Sequence, residues 1–186
     1  MGGNGRIAWI PADALSLPFA DRAFDIVACQ FGAMFFPDEV QGYREARRVL
    51  NTDGRFIFNV WDRIAENEFA QAVTDALADR FPDDPPRFMA RVPHGYFNLD
   101  QIREDLSLAG FASVAVEAVS FASRAASARE PAIAFCQGTP LRSEIEARDA
   151  LGLEAVTRWV ADALTRRFGG GAIEGRTRAF VIVASP

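Results

Sequence analysis

Phe24-Asp25-Ile26-Val27-Ala28-Cys29-Gln30 is followed, after Phe31–Phe36, by Pro37-Asp38 and a run to Leu50, then by Asn51-Thr52-Asp53-Gly54 and Arg55-Phe56-Ile57-Phe58-Asn59-Val60-Trp61. The first run is almost continuously apolar, which suits a strand covered on both faces, as in a parallel sheet. Pro37-Asp38 opens a helix over Asp38–Leu50, because Val40, Tyr43, Ala46 (or Arg47) and Leu50 recur at helical spacing. Asn51-Thr52-Asp53-Gly54 reads as its stop signal. Strand, helix and strand in that order predict a right-handed crossover on a parallel sheet.

The pattern extends outward from this unit. Upstream, Arg6–Pro11 reads as a short strand that Pro11 stops. It is followed by a loop, Ala12–Phe19, and a polar turn at Asp21-Arg22. Downstream, Glu66–Phe81 is predicted helical, with Phe69, Val73, Ala76, Leu77 and Phe81 on one side. Pro82, Pro85 and Pro86 exclude regular structure from the next stretch. Asn98 or Asp100 caps a third helix, Asp100–Ala109, which ends at Gly110. Ser113–Phe121 and Arg178–Ser185 read as strands able to pair. Between them lie helices over Pro131–Gly138 and Glu144–Phe168, the latter broken near Leu151-Gly152, so residues 131–168 form a helical insertion or cap within one domain of 1–186.

Composition narrows the chemistry. With 186 residues, 49% of them apolar, the chain can bury the core of one domain. A net charge of −5 and the lack of a strong basic cluster argue against nucleic acid as a partner. No apolar run is long enough for a membrane span, and the first residues do not resemble a signal peptide, which points to the cytoplasm. All twenty basic residues are arginine, so lysine Schiff-base chemistry is excluded. One histidine, His94, and two separated cysteines, Cys29 and Cys136, make a metal site improbable.

Ligands of open α/β sheets bind beyond the carboxyl ends of the strands. Two such places carry suitable groups here. Asp13, with the backbone of Ala14 and Leu15, suits the edge of an aminopurine: the carboxylate accepts from the amine and a backbone N–H donates to a ring nitrogen. On its own chemistry Asp13 reads as a turn cap before it reads as a ligand. Gln30-Phe31-Gly32 is the other place, where Gly32 serves either a close ligand approach or a plain turn. Cys29 reads as a small buried hydrophobe rather than a nucleophile. His94, in a loop between Pro93 and Gly95, is expected to be accessible, as a loop-packing histidine or as a general base.

These segments together resemble the class I S-adenosylmethionine-dependent methyltransferases of the ubiquinone/menaquinone-biosynthesis type. Asp13-Ala14-Leu15-Ser16-Leu17-Pro18-Phe19 with Phe24-Asp25-Ile26-Val27 is similar to the family's "D-A-x-x-L-P-F … F-D-x-V". Arg44-Glu45-Ala46-Arg47-Arg48-Val49-Leu50 with Asp53-Gly54-Arg55 is similar to "R-E-x-x-R-V-L-x-P-G-G-R", with Thr52-Asp53 where Pro-Gly is usual. Ala109-Gly110-Phe111 resembles the "A-G-F" before the sixth strand. The resemblance implies a three-layer Rossmann-like α/β fold and S-adenosylmethionine as cofactor. It implies that Asp13, Ala14 and Leu15 hold adenine, and that Gln30, Phe31 and Gly32 border the reacting methyl. The acceptor would be a small molecule, apolar or aromatic; the Arg-Asn pair of the quinone-biosynthesis members falls at Met34 and Phe35 and is absent.

The same resemblance implies a strand, a glycine-rich turn, a helix and a second strand ahead of the Arg6–Pro11 segment. Gly2-Gly3-Asn4-Gly5 is no substitute for that turn. The expectation is a sheet lacking its first two strands, with the flanking edges paired to each other or to a second copy in a homodimer. The alternative function is a catalytically incompetent domain that serves oligomerisation or partner binding.

Overall fold

Four strands form one mixed sheet in the order β1-β2-β4-β3. β1 (Phe24–Gln30) runs parallel to β2 (Leu50–Trp61), and β4 (Ile173–Ser185) runs antiparallel to both β2 and β3 (Ser113–Ala125). The computed structural model describes residues 7–148 and 152–186.

The deciding unit folds as its pattern predicts. α1 (Glu39–Val49) joins β1 to β2, and the Asp38 carboxylate accepts from the Gln41 N–H at its start. Of its buried residues, Tyr43 and Ala46 pack on the sheet. The Asn51–Gly54 stop does not form as a turn. β2 begins at Leu50, and its register against β1 jumps from Phe24↔Leu50 to Ile26↔Arg55. The extra residues bulge, and glycine is needed because a Cβ at Gly54 would lie 2.9 Å from the Asn51 carbonyl oxygen and 3.1 Å from that of Asp25.

Two strand expectations are corrected. Arg6 lies outside the described residues, as does the Gly2–Gly5 cluster, and residues 7–12 form no strand. Trp9 is 90% exposed, and an extended segment without a neighbouring ladder has nothing to hold it. β1 is not covered on both faces either: Ile26 is 60% exposed and Ala28 is exposed. Among the described residues β1 pairs with β2 alone, so its outer edge is open.

One face of the sheet is closed by α1 and α4 (Leu99–Leu108), which Asn98 caps. Ile102 and Leu106 of α4 join Tyr43 against Phe56, Phe58, Phe180 and Ile182. Each such side chain stabilises the fold by about 1.5–3 kcal/mol when removed from water. A second apolar cluster gathers α2 (Glu68–Arg80), α3 (Phe88–Arg91), α5 (Arg129–Gly138), α6 (Leu141–Glu146) and α7 (Leu153–Phe168) around Val73, Leu77, Ile145, Val160 and Leu164. Ile173, at the start of β4, belongs to this cluster, so β4 runs through both. The helix expected over Glu144–Phe168 is two helices, and Leu151 of the expected break lies outside the described residues. Among the described residues no helix is long and apolar enough to cross a membrane.

Candidate active site

The loop before β1 runs down the outside of α1 in a fixed order. The Gln41 side-chain amide donates to the Leu15 carbonyl at 3.1 Å, and the Leu17 N–H donates to Glu45 Oε2 at 2.8 Å. Arg48 then donates to the carbonyls of Leu17 and Phe19. Since α1 starts beyond the carboxyl end of β1 and ends where β2 begins, these contacts put Asp13–Leu15 at the carboxyl edge of the sheet. Gln30–Gly32 occupies the same edge. The two candidate segments share one rim, with no direct bond between them among the described residues.

Asp13 does cap its own turn. Its Oδ1 accepts from the Leu15 N–H at 2.9 Å, so that N–H is spent. The second carboxylate oxygen and the Ala14 N–H have no partner among the described residues, and Asp13 is exposed. An acceptor and a donor one residue apart therefore remain open on this rim, and they fit the edge of an aminopurine.

Phe31 is the unusual residue of the rim. It takes a left-handed conformation, φ 50°, which costs a residue with a side chain of this size about 1–2 kcal/mol. Two contacts hold it there. Its N–H donates to Asn59 Oδ1 at 2.9 Å, and its ring stacks on Trp61 with centroids 4.0 Å apart. Gly32 has an ordinary negative φ, and its close neighbour is inside the protein: a Cβ there would lie 2.7 Å from Cys29 Sγ. Burial pushes the Cys29 thiol up, away from nucleophilic use.

His94 is only 4% exposed, which corrects the expectation of an accessible loop residue. Its loop folds over the end of β2, and the imidazole lies 6.1 Å from the Trp61 ring, centroid to centroid. Nδ1 is 2.9 Å from the Asp62 carbonyl, which can only accept, so Nδ1 carries the proton. Nε2 is then the basic nitrogen of the neutral ring; it has no hydrogen-bond partner among the described residues and is not sealed from solvent. Burial lowers the pKa of His94, opposed by the hydrogen bond to Asp62, so the ring is neutral at pH 7.

Beside His94 lies a cavity of about 210 Å³, lined by Trp61, Phe69, Met89, His94 and Phe135 with Arg176. A dry cavity of about 150 Å³ holds benzene, so this one admits a single substituted ring or a short alkyl group. Sequence reasoning missed Asn59, Asp62 and Asn67. Asn67 is buried and accepts from Thr177 Oγ1 at 2.7 Å and the Arg178 N–H at 3.1 Å, joining α2's start to β4. The available signal was a polar residue inside or just after an apolar strand.

Comparison with known proteins agrees with the fold. A methyltransferase-domain family profile matches residues 2–58. A malonyl-[acyl-carrier protein] O-methyltransferase of Geobacter sulfurreducens is 33% identical over 105 residues, 56% of this chain and 38% of that protein. A ubiquinone/menaquinone biosynthesis C-methyltransferase of Paracoccus denitrificans is 42% identical over 52 residues, 28% of this chain and 21% of the relative. These matches thus span well under half of the relatives' length. A methyltransferase-type structure from Anabaena variabilis superposes with a TM-score of 0.57 at 18% identity, over 97% of this chain and 74% of that one. One from Bacillus halodurans gives 0.55 at 17% identity, over 97% and 78%. Over residues 2–58 the chain is similar to methyltransferase-domain proteins, and its α/β fold is that of the methyltransferase-type structures.

Proposed function

We propose that the protein transfers a methyl group from S-adenosylmethionine to a small apolar or aromatic acceptor. The observation that carries this reading is the run of rings Phe31, Trp61 and His94, which leads from the carboxyl end of β1 to the cavity that Trp61 and His94 line. Asp13 and the Ala14 N–H would hold the adenine, and Gln30, Phe31 and Gly32 would border the methionine side. When bound, the cofactor supplies an electrophilic methyl on a sulfonium, already a good leaving group. The protein's task is then alignment. Trp61, Phe69, Met89 and Phe135 exclude water from the acceptor and fix its plane. His94, through Nε2, would accept the acceptor's proton.

Thermal shift with S-adenosylhomocysteine tests the cofactor half of this reading, because a ligand of the folded state alone raises its stability. An upward shift that is lost in Asp13→Ala supports it; no shift at millimolar ligand overturns it and favours a non-catalytic domain. The open edge of β1 is also proposed to pair two copies into a homodimer. Light scattering after size exclusion should give twice the chain mass, and a monomer ends that proposal.

A further inference from the structure

The amino-terminal edge of the sheet, opposite the candidate active site, carries a polar cleft of about 460 Å³. The last turns of α1, the start of β2 and Ala109 after α4 form its walls, and four guanidiniums line it: Arg22, Arg44, Arg47 and Arg48. Arg48 is neutralised by Asp21 and Glu45, each at 2.8 Å. Arg22, Arg44 and Arg47 form no ion pair among the described residues, with the Pro186 carboxylate at the cleft's rim or with any other. The nearby Asp25 carboxylate is engaged by Asn51 Nδ2 at 2.7 Å.

Three guanidiniums without an ion pair in one cleft, whose lining carboxylate Asp21 is taken by Arg48, stand out in a chain of net charge −5. Helix capping accounts for part of the arrangement. Arg44 Nη2 donates to the Leu108 carbonyl at 3.4 Å, and Arg47 Nε donates to that of Gly110 at 2.7 Å. Each bond uses one of five guanidinium donors and fixes the side chain, leaving the other donors free. Capping does not account for Arg22. Its backbone is left-handed, φ 55°, and is pinned by its N–H to the Arg48 carbonyl and by the Ala23 N–H to the Val49 carbonyl. Two held guanidiniums, Arg44 and Arg47, with that of Arg22 on a pinned backbone and the polar side chains of Asn51 and Thr52 beside them, suit a multiply charged oxyanion, whose oxygens pair with guanidinium forks.

We propose that this cleft binds a diphosphate, free or as an ester, at a site separate from the methyl-transfer rim. The guanidinium forks of Arg22, Arg44 and Arg47 can pair with oxygens on both phosphorus atoms, and the volume of about 460 Å³ leaves room for an organic group on the ester. Titration calorimetry with inorganic pyrophosphate, with a nucleoside diphosphate, and with sulfate at matched ionic strength tests this. The expected result is one saturable diphosphate site, at least about tenfold tighter than sulfate. Arg22→Asn and Arg47→Gln should each weaken it by about tenfold, the scale of one charged hydrogen bond. Asparagine tolerates the left-handed turn, and glutamine Nε2 takes the place of the Arg47 Nε that donates to Gly110, so both variants should melt like the parent. Binding of the nucleotide but not of pyrophosphate overturns the diphosphate assignment. So do diphosphate binding no tighter than sulfate, and equal binding by both variants at unchanged melting temperature.

Discussion

The ring of Phe31 lies on the indole of Trp61, centroids 4.0 Å apart and planes 14° from parallel, and so ties the ends of two neighbouring parallel strands together. This stack separates the rim assigned to the cofactor from the cavity assigned to the acceptor. Trp61→Ala should destabilise the fold by about 2–3 kcal/mol, since Trp61 is half-buried rather than fully enclosed. The loss should be read in urea unfolding and be accompanied by weaker S-adenosylhomocysteine binding. Unchanged affinity would separate the stack from the cofactor.

Asn59 holds Phe31 in its left-handed turn through a single acceptor. Asn59→Leu removes that acceptor and leaves the Phe31 N–H without its partner, at a cost of about 1–3 kcal/mol. Cofactor affinity should fall further than in a surface control such as Arg129→Ala.

Gly32 and Cys29 form a testable pair. Gly32→Ala drives a methyl against Cys29 Sγ, and overpacking of this kind costs about 1–3 kcal/mol. Adding Cys29→Ala should recover most of that loss, so a double-mutant cycle should show strong coupling. Additive losses would place the clash elsewhere.

His94→Gln should lower methyl transfer by about 10²–10⁴-fold if Nε2 is the base. The lowered pKa sets the sign of the pH effects. The folded imidazole resists protonation, so the parent's rate should climb through a pKa below 6.5 and stay level above it. By the same linkage the unfolded chain binds the proton more readily, so the parent loses stability as pH falls from 6.5 toward the folded pKa. Urea midpoints should show this loss in the parent and a smaller one in His94→Gln.

The β1-α1-β2 unit was legible because helical spacing and the Asp38 cap are local signals. The strand read at Arg6–Pro11 was not borne out over residues 7–12, because an alternating segment becomes a strand only beside a partner. Gly54 illustrates the same limit: its composition reads as a helix stop, yet its place is set by the Asp25 backbone across the sheet. On the rim, the positions of Asp13 and Gln30–Gly32 followed from motif order. Asn59's role did not, since it depends on the cross-strand register Gln30↔Asn59. The burial of His94 was equally hidden, being decided by how residues 92–98 fold onto Trp61.

β4 threads both apolar clusters, with Ile173 in one and Phe180, Ile182 and Ala184 in the other, while the 210 Å³ cavity lies where the clusters meet. The wall of the cavity is thus shared between two cores, and Asn67, bonded to Thr177 and Arg178, keeps them in register, so a substitution that loosens either one reshapes the space a guest would fill.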